Sequence, residues 1–240
     1  MQSSQPEGSL SQTLPETIAA ILAEQIIAAH YKAGGRLVES SLVKQFKVSH
    51  GPVRDALRIL ENAGLVIIHP YRGAQVTQLS VREVQEIYQV RAALVGLRAR
   101  WIAEDEARAG VVTLVQEPIS RLTRLAKDPR AEKQYIDTAA CINATLTQTL
   151  SNRWLRTTLQ ALTLQTRRYT RLALSVAQRR KKSAQLWNQL LCALKSGDAD
   201  TAQTLASTIS LSTRDAAIVY LQKEPETSCV SSFGISTSRL

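Results

Sequence analysis

Two groups of residues have types and spacings that could do chemistry. The first is Ser49-His50-Gly51-Pro52-Val53-Arg54. A helix that docks on duplex DNA shows short polar or basic side chains in its first turn, where they reach phosphates and base edges, while its other face packs on neighbouring helices. Ser49 stands where it caps such a helix and can also donate to a phosphate. Pro52 is tolerated in a first turn, and Arg54 can make a charge-assisted contact to phosphate or guanine, with Val53 turned to the core. Further on, Tyr71-Arg72-Gly73 places an arginine at the tip of a tight turn, positioned to enter a minor groove or clamp the backbone, with Gly73 supplying the permissive conformation.

The second group centres on Arg91. Val84, Ile87, Tyr88, Leu94 and Ile102 recur at helical spacing and place Arg91 on the buried stripe of its helix, where an unpaired guanidinium is costly. It needs an anion, either a carboxylate of the protein or the carboxylate of an organic effector held bidentately. A second basic cluster, Arg167, Arg168, Arg171, Arg179, Arg180, Lys181 and Lys182, reads first as a solvated face and loop, with an acidic ligand or extra DNA contact as the alternatives. No nucleophile-base pair, phosphate-cradling glycine loop or supported pair of carboxylates is present, so the chain is not read as an enzyme.

The elements that must position these residues follow from periodicity. Leu14, Ile18, Ile21, Leu22, Ile26 and Ala29 make one apolar stripe on a helix that ends before Gly34-Gly35. Glu39 to Phe46 forms a second helix, Lys47-Val48 turns the chain, and Ser49 caps a third whose buried side is Val53, Ala56, Leu57 and Leu60. Leu65 to Ile68 and Ala74 to Thr77 read as two short strands joined by the Pro70 to Gly73 turn. Three helices and a hairpin describe a winged helix-turn-helix over residues 14–79.

Ser80-Val-Arg-Glu83 is a capping box that opens a helical bundle over residues 80–223. Breaks are expected near Gly110, Asp128-Pro129, Asn152, Arg179 to Ser183 and Gly197-Asp198, giving about six helices. The fold class is therefore mainly α. Residues 1–13 read as a flexible lead, and residues 224–240, rich in Ser and Thr, as a disordered tail.

The formal charge of +10 suits a polyanionic partner, yet residues 1–79 hold seven Lys/Arg against six Asp/Glu, so the case for DNA rests on pattern rather than charge. No run is long and apolar enough to span a membrane and no secretion signal is evident, which suggests a cytoplasmic protein. Cys141, Cys192 and Cys229 are odd in number and widely spaced, and read as ordinary free thiols.

The stretch LVESSLVKQFKVSHGPVRDALRILENAGLVIIHPYRGAQV resembles the N-terminal domain of GntR-family bacterial repressors, whose pattern is L-x-E-x-x-L-A-x-x-x-G-V-S-R-x-P-V-R-x-A-L-x-x-L-x-x-x-G-L-V followed by R-G. The resemblance implies DNA contacts at Ser40, Ser49, His50, Gly51, Pro52, Arg54, Arg72 and Gly73. His50 stands where the family usually has Arg, and Gly51 where Thr or Gln is common, so the preferred operator should differ at those positions.

The helical part resembles the FCD effector domain of the FadR-like branch, through Glu86-Ile-Tyr-Gln-Val-Arg91-Ala-Ala-Leu94 and Ala193-Leu-Lys-Ser-Gly-Asp198 with Ala202. Many such domains bind a divalent metal with an Asp and three His. Here His30, His50 and His69 all lie in the DNA-binding part. Alignment on Leu146, Asn152 and Leu155 puts Ala139, Asn143, Trp187 and Ile209 at the ligand positions, so no metal or other cofactor is expected. Trp187 is read as core packing or as the wall of an effector pocket, and Asn143, which shares a stripe with Ala139, Ile142 and Leu146, as inward-facing in either case.

Together these readings imply a homodimeric transcriptional regulator, a repressor or an activator with repression the sense expected first, that binds a palindromic double-stranded DNA operator and takes a small-molecule effector, an organic acid or other metabolite, near Arg91, Asn143 and Trp187. The alternative is a DNA-binding regulator whose helical domain is purely structural.

Overall fold

A computed structural model describes residues 13–70 and 72–223, with the backbone alone at Lys223. The proposed lead, apart from Thr13, the proposed tail and Tyr71 lie outside the described residues. Helix α1 spans Leu14–Ile27 and is opened by a capping box in which Thr13 and Glu16 satisfy each other's free amides. Its buried face is Ile18, Leu22 and Ile26, each at most 2% exposed. Burying one such side chain contributes about 1.5–3 kcal/mol. Leu14 and Ile21 are exposed and Ala29 lies past the helix end at φ 62°, so the stripe is narrower than its apolar residues suggest.

Strand β1 (Arg36–Leu37) follows, then α2 (Glu39–Phe46), α3 (His50–Asn62), β2 (Val66–His69) and β3 (Gly73–Val76). The sheet order is β1-β3-β2, antiparallel throughout, with Val66 opposite Val76, His69 opposite Gly73 and Arg36 opposite Gln75. Strand β1 has no counterpart in the sequence reading. It is two residues long, and its place comes from pairing with β3 rather than from any pattern of its own. Leu37, Leu42, Val53, Leu57, Leu60 and Val76 close one core with α1.

Helices α4 (Val81–Glu104), α5 (Arg108–Leu125), α6 (Glu132–Gln148), α7 (Arg153–Leu174), α8 (Ala177–Ser196) and α9 (Ala199–Lys223) form the bundle. Ser80 and Glu83 make the capping box at the start of α4. Gly96 lets α4 and α9 approach closely, since a Cβ there would stand 2.4 Å from Ser207 Oγ. Two expected breaks are displaced. Gly110 lies in the first turn of α5, where backbone amides have no helical partners anyway, and the break falls at Asp105, whose Oδ1 accepts the Ala107 amide at 2.8 Å. Arg179 to Ser183 lies inside α8, because Arg180 and Ser183 face the interior while Lys181 and Lys182 face out. The chain turns instead at Ser175-Val176. Among the described residues no helix is long and apolar enough to cross a membrane.

Candidate nucleic-acid interface and effector cavity

The turn between α2 and α3 positions the first group of residues. Lys47 takes the left-handed conformation at φ 55° and sends the chain into Ser49 at the α3 N-cap position. Contrary to the sequence reading, the Ser49 side chain makes no capping hydrogen bond. The first-turn amides of α3 thus have no side-chain cap, which leaves them able to donate to a phosphate. Ser40, Ser49, His50, Gly51 and Arg54 are exposed, Pro52 is half-buried, and Val53 is buried. Arg72 and Gly73 are exposed at the β2–β3 turn, Gly73 at φ 82°.

Glu39, in the first turn of α2, organises this surface. Its carboxylate accepts from His50 Nδ1 at 2.5 Å and lies 3.0 Å from Arg54 Nε. Partial desolvation raises the Glu39 carboxyl, but the hydrogen bonds and charges of His50 and Arg54 outweigh it, and the net shift is downward. Only Arg54 Nε is engaged, so its two terminal nitrogens stay free for a bidentate contact. Glu39 was not among the expected site residues. Its sequence signal is the acidic position of the L-x-E pattern, eleven residues before His50 and fifteen before Arg54.

In the bundle, α4, α6, α7, α8 and α9 enclose a cavity of about 40 Å³ whose walls include Arg91, Arg98, Asn143, Trp187, Ile209 and Ser210. Arg91 is 7% exposed, and its Nη1 donates to Ser210 Oγ at 3.0 Å. No carboxylate contacts it among the described residues. Asn143 donates through Nδ2 to the Ala139 carbonyl at 3.1 Å and accepts from Arg98 Nη2 at 3.2 Å. Trp187, at 2% exposure, is both core and cavity wall. Between α6 and α7 a groove of about 490 Å³ shares Arg91, Ala139, Asn143 and Thr170 with the cavity.

Residues 14–76 match the bacterial regulatory proteins of the gntR family, and residues 86–209 match the FCD domain. This chain belongs to the GntR family. Relatives include the HTH-type transcriptional regulator YdhC of Bacillus subtilis (strain 168), 30% identical over 115 residues, which are 48% of this chain and 51% of that protein. The gluconate operon transcriptional repressor of Bacillus licheniformis is 32% identical over 110 residues, 46% of this chain and 43% of that protein. The chain spans about half the length of the curated relatives it matches. Among solved structures, E. coli McbR/YncC superposes with a TM-score of 0.72 at 20% identity, covering 88% of this chain and 99% of that one. A GntR-type regulator from Rhodococcus sp. RHA1 gives 0.66 at 18% identity, covering 87% and 98%. These structures share its fold. Members of the family are regulatory proteins rather than enzymes, in agreement with the sequence reading.

The family frame makes the chemistry of the cavity unusual. Ala139, Asn143, Trp187 and Ile209 all line it, as the alignment of metal-ligand positions places them. That set offers one amide as a donor, already bonded on both sides, and a guanidinium stands against it. It does not fit a divalent cation. No cluster of three or more His, Cys, Asp or Glu suited to a metal occurs among the described residues.

Two inward arginines were missed by sequence reasoning. Arg98 is 2% exposed and donates to Thr147 Oγ1 at 2.8 Å and to the Asn143 carbonyl at 3.1 Å. Arg180, read with its neighbours as part of a solvated face, is instead 1% exposed. It donates to the carbonyls of Leu174, Ser175 and Pro129 at 2.8–3.0 Å, tying the end of α7 to the loop before α6. Arg167 and Arg168 of the same basic cluster reach the winged helix: Arg167 pairs with Glu24 on α1, and Arg168 donates to the Tyr31 carbonyl at 3.1 Å.

Proposed function

We propose that this GntR-family chain is a homodimeric, ligand-responsive repressor that binds a palindromic DNA operator and is modulated by a small organic acid. It would act in the cytoplasm, where its DNA lies. Two copies present two α3 helices to two half-sites, so a two-fold dimer reads a two-fold operator. Arg54 and Arg72 supply the contacts expected to matter most, with Ser40, Ser49, His50, Gly51, Pro52 and Gly73 completing the surface. In the bundle Arg91 takes the acid, beside Asn143 and Trp187, without a metal.

The observation that carries this reading is the span of α7. Leu164 packs on the winged-helix core and Gln165 donates to the Ala63 carbonyl at the end of α3, while Thr170, further along the same helix, lines the arginine cavity. A ligand that shifts α7 therefore acts on the orientation of α3. Repression is the sense favoured by similarity to the gluconate operon repressor.

The test is to map the DNA bound by the full chain in cells, then measure affinity for that DNA by fluorescence anisotropy while titrating small carboxylic acids. A specific site bound in the range of about 10⁻⁸–10⁻¹¹ M, weakened about 5–150-fold by one acid, is the expected result. Specific binding indifferent to every acid would refute the organic-acid reading and favour the structural-bundle alternative.

A further inference from the structure

The effector cavity holds more positive charge than one carboxylate can satisfy. Arg91 and Arg98 are seven residues apart on α4, two helical turns, so both project from one face into the same space. Arg91 bonds Ser210 Oγ and lies 5.8 Å from the Tyr88 ring centre. Arg98 bonds Thr147 Oγ1 and the carbonyl and amide oxygens of Asn143. Every one of these acceptors is neutral, and the Nε of each arginine is buried without a partner.

A third guanidinium contacts the cavity wall from behind. Arg179 on α8 donates to Ser212 Oγ at 2.8 Å and to Thr213 Oγ1 at 3.2 Å, and Thr213 is part of the cavity wall. Its Nε and Nη1 are also buried without partners. The carboxylate that acts on it, Asp215, is already paired with Arg214 at 2.7 Å. Arg180 differs, because its Nη1 and Nη2 are spent on three backbone carbonyls around the end of α7, although its Nε too is without a partner.

We infer that the cavity takes a compact dianionic oxyanion group of the effector, held between Arg91 and Arg98 with Arg179 adding to the field. This rests on the reading of the bundle as an effector domain and names the charge of what it binds. A single carboxylate on Arg91 would leave Arg98 a buried, uncompensated ion repelled by its neighbour. Desolvation and, behind it, the Arg91 charge pull Arg98 down to about 9, the behaviour of a cation lacking its counter-charge. A cavity of about 40 Å³ holds about three waters, room for a compact oxyanion group rather than a whole metabolite. The remainder of the effector would lie in the adjoining α6–α7 groove, which shares Arg91, Asn143 and Thr170.

The test is thermal denaturation and calorimetric titration of the full chain with inorganic phosphate and malonate against acetate and chloride, at matched ionic strength. In the wild type, phosphate or malonate should raise the Tm and bind at least tenfold more tightly than acetate. Arg98→Met should erase that tenfold preference, while the exposed control Arg82→Gln should keep it. If R98M does not fold, Arg98→Lys, which keeps a charge but loses the planar fork, should narrow the preference. Acetate binding as tightly as the dianions, or an R98M or R98K chain with undiminished preference, overturns the inference. An acetate-responsive repressor would still satisfy the function proposed above, so the two readings fail separately.

Discussion

Glu39 on α2 and Arg54 on α3 form an ion pair, Oε1 to Nε at 3.0 Å, that leaves the terminal nitrogens of Arg54 facing outward. The pair orients the arginine rather than consuming it. Replacing Glu39 by Gln should therefore have two opposed effects on DNA. Affinity for unrelated DNA rises, because a negative charge leaves the surface, while the oriented contact to the operator weakens. The ratio of operator to unrelated-DNA affinity should fall about five- to tenfold, measured by competition anisotropy, within the range that loss of part of a bidentate base contact covers. A ratio unchanged by E39Q would show that Arg54 needs no holder.

The same carboxylate gives the winged helix a defined response to acid. Glu39 has its pKa lowered in the fold, so its contribution to stability is fully present above the ordinary value of 4.5 and is lost as pH falls below it toward the folded value. The pair is partly exposed, which limits the effect to at most about 1 kcal/mol. Melting temperature plotted from pH 7 to pH 4 should bend downward at the acid end, and E39Q should flatten part of that bend.

On the proposed docking of α3, Gly51 is a position where a substitution should change operator preference without disturbing the fold. A Cβ built there meets nothing within 4 Å, and the residue is exposed in the first turn of α3. Gly51→Thr should leave the Tm within about two degrees or raise it, since a side chain restricts the unfolded chain more than glycine does. Selection from randomised duplexes should then return a motif changed at one base pair per half-site and preserved elsewhere.

Arg180 and Arg98 are both buried cations, and their removal should differ in cost. Arg180→Met orphans three carbonyls that converge on one side chain. Leaving buried acceptors unmet costs about 1–3 kcal/mol each where water cannot replace the donor, so a loss of about 3 kcal/mol is expected. In a chain of this size that lowers Tm by about 6–12 °C. Arg98→Met removes an uncompensated charge and should cost far less in the ligand-free protein.

The winged helix was legible because its caps, turns and apolar steps are local, and each agrees with the next from Leu37 to Val76. What escaped was non-local. Strand β1 exists only through β3, and Glu39 becomes a site residue only when α2 and α3 bring it beside positions eleven and fifteen residues away. Arg98 lies two turns beyond Arg91, on the stripe shared with Val95 and Ile102, so its spacing points inward although its type argues for the surface. The Arg179 to Ser183 run reads as a polar break because composition does not reveal that Arg180 has three carbonyls to meet. The displaced turn at Ser175-Val176 carries neither Gly nor Pro to announce it.

Leu164 offers the most direct test of how the bundle speaks to the winged helix. It packs against the core built by α1, α2 and α3, beside Gln165 on the Ala63 carbonyl and Arg167 on Glu24. The polar contacts here are partly exposed and individually weak, so the apolar contact supplies most of the dock. Leu164→Asp places a charge in that contact while leaving Thr170 and the α3 surface untouched, and because Leu164 also lines the α6–α7 groove, effector binding to L164D is measured directly beside the response. Wild type should unfold in one calorimetric transition and L164D in two, as the units lose their mechanical connection. Operator affinity of the ligand-free chain should change by less than about tenfold, whereas its response to effector should largely disappear, because coupling requires an element that both sites bias. A single transition together with an intact effector response in L164D would place the coupling outside this end of α7. The segment that follows β3, capped by Ser80 and tied to α7 by the Leu79 amide on Tyr169 Oη at 3.0 Å, would then be the first alternative route between the units to test.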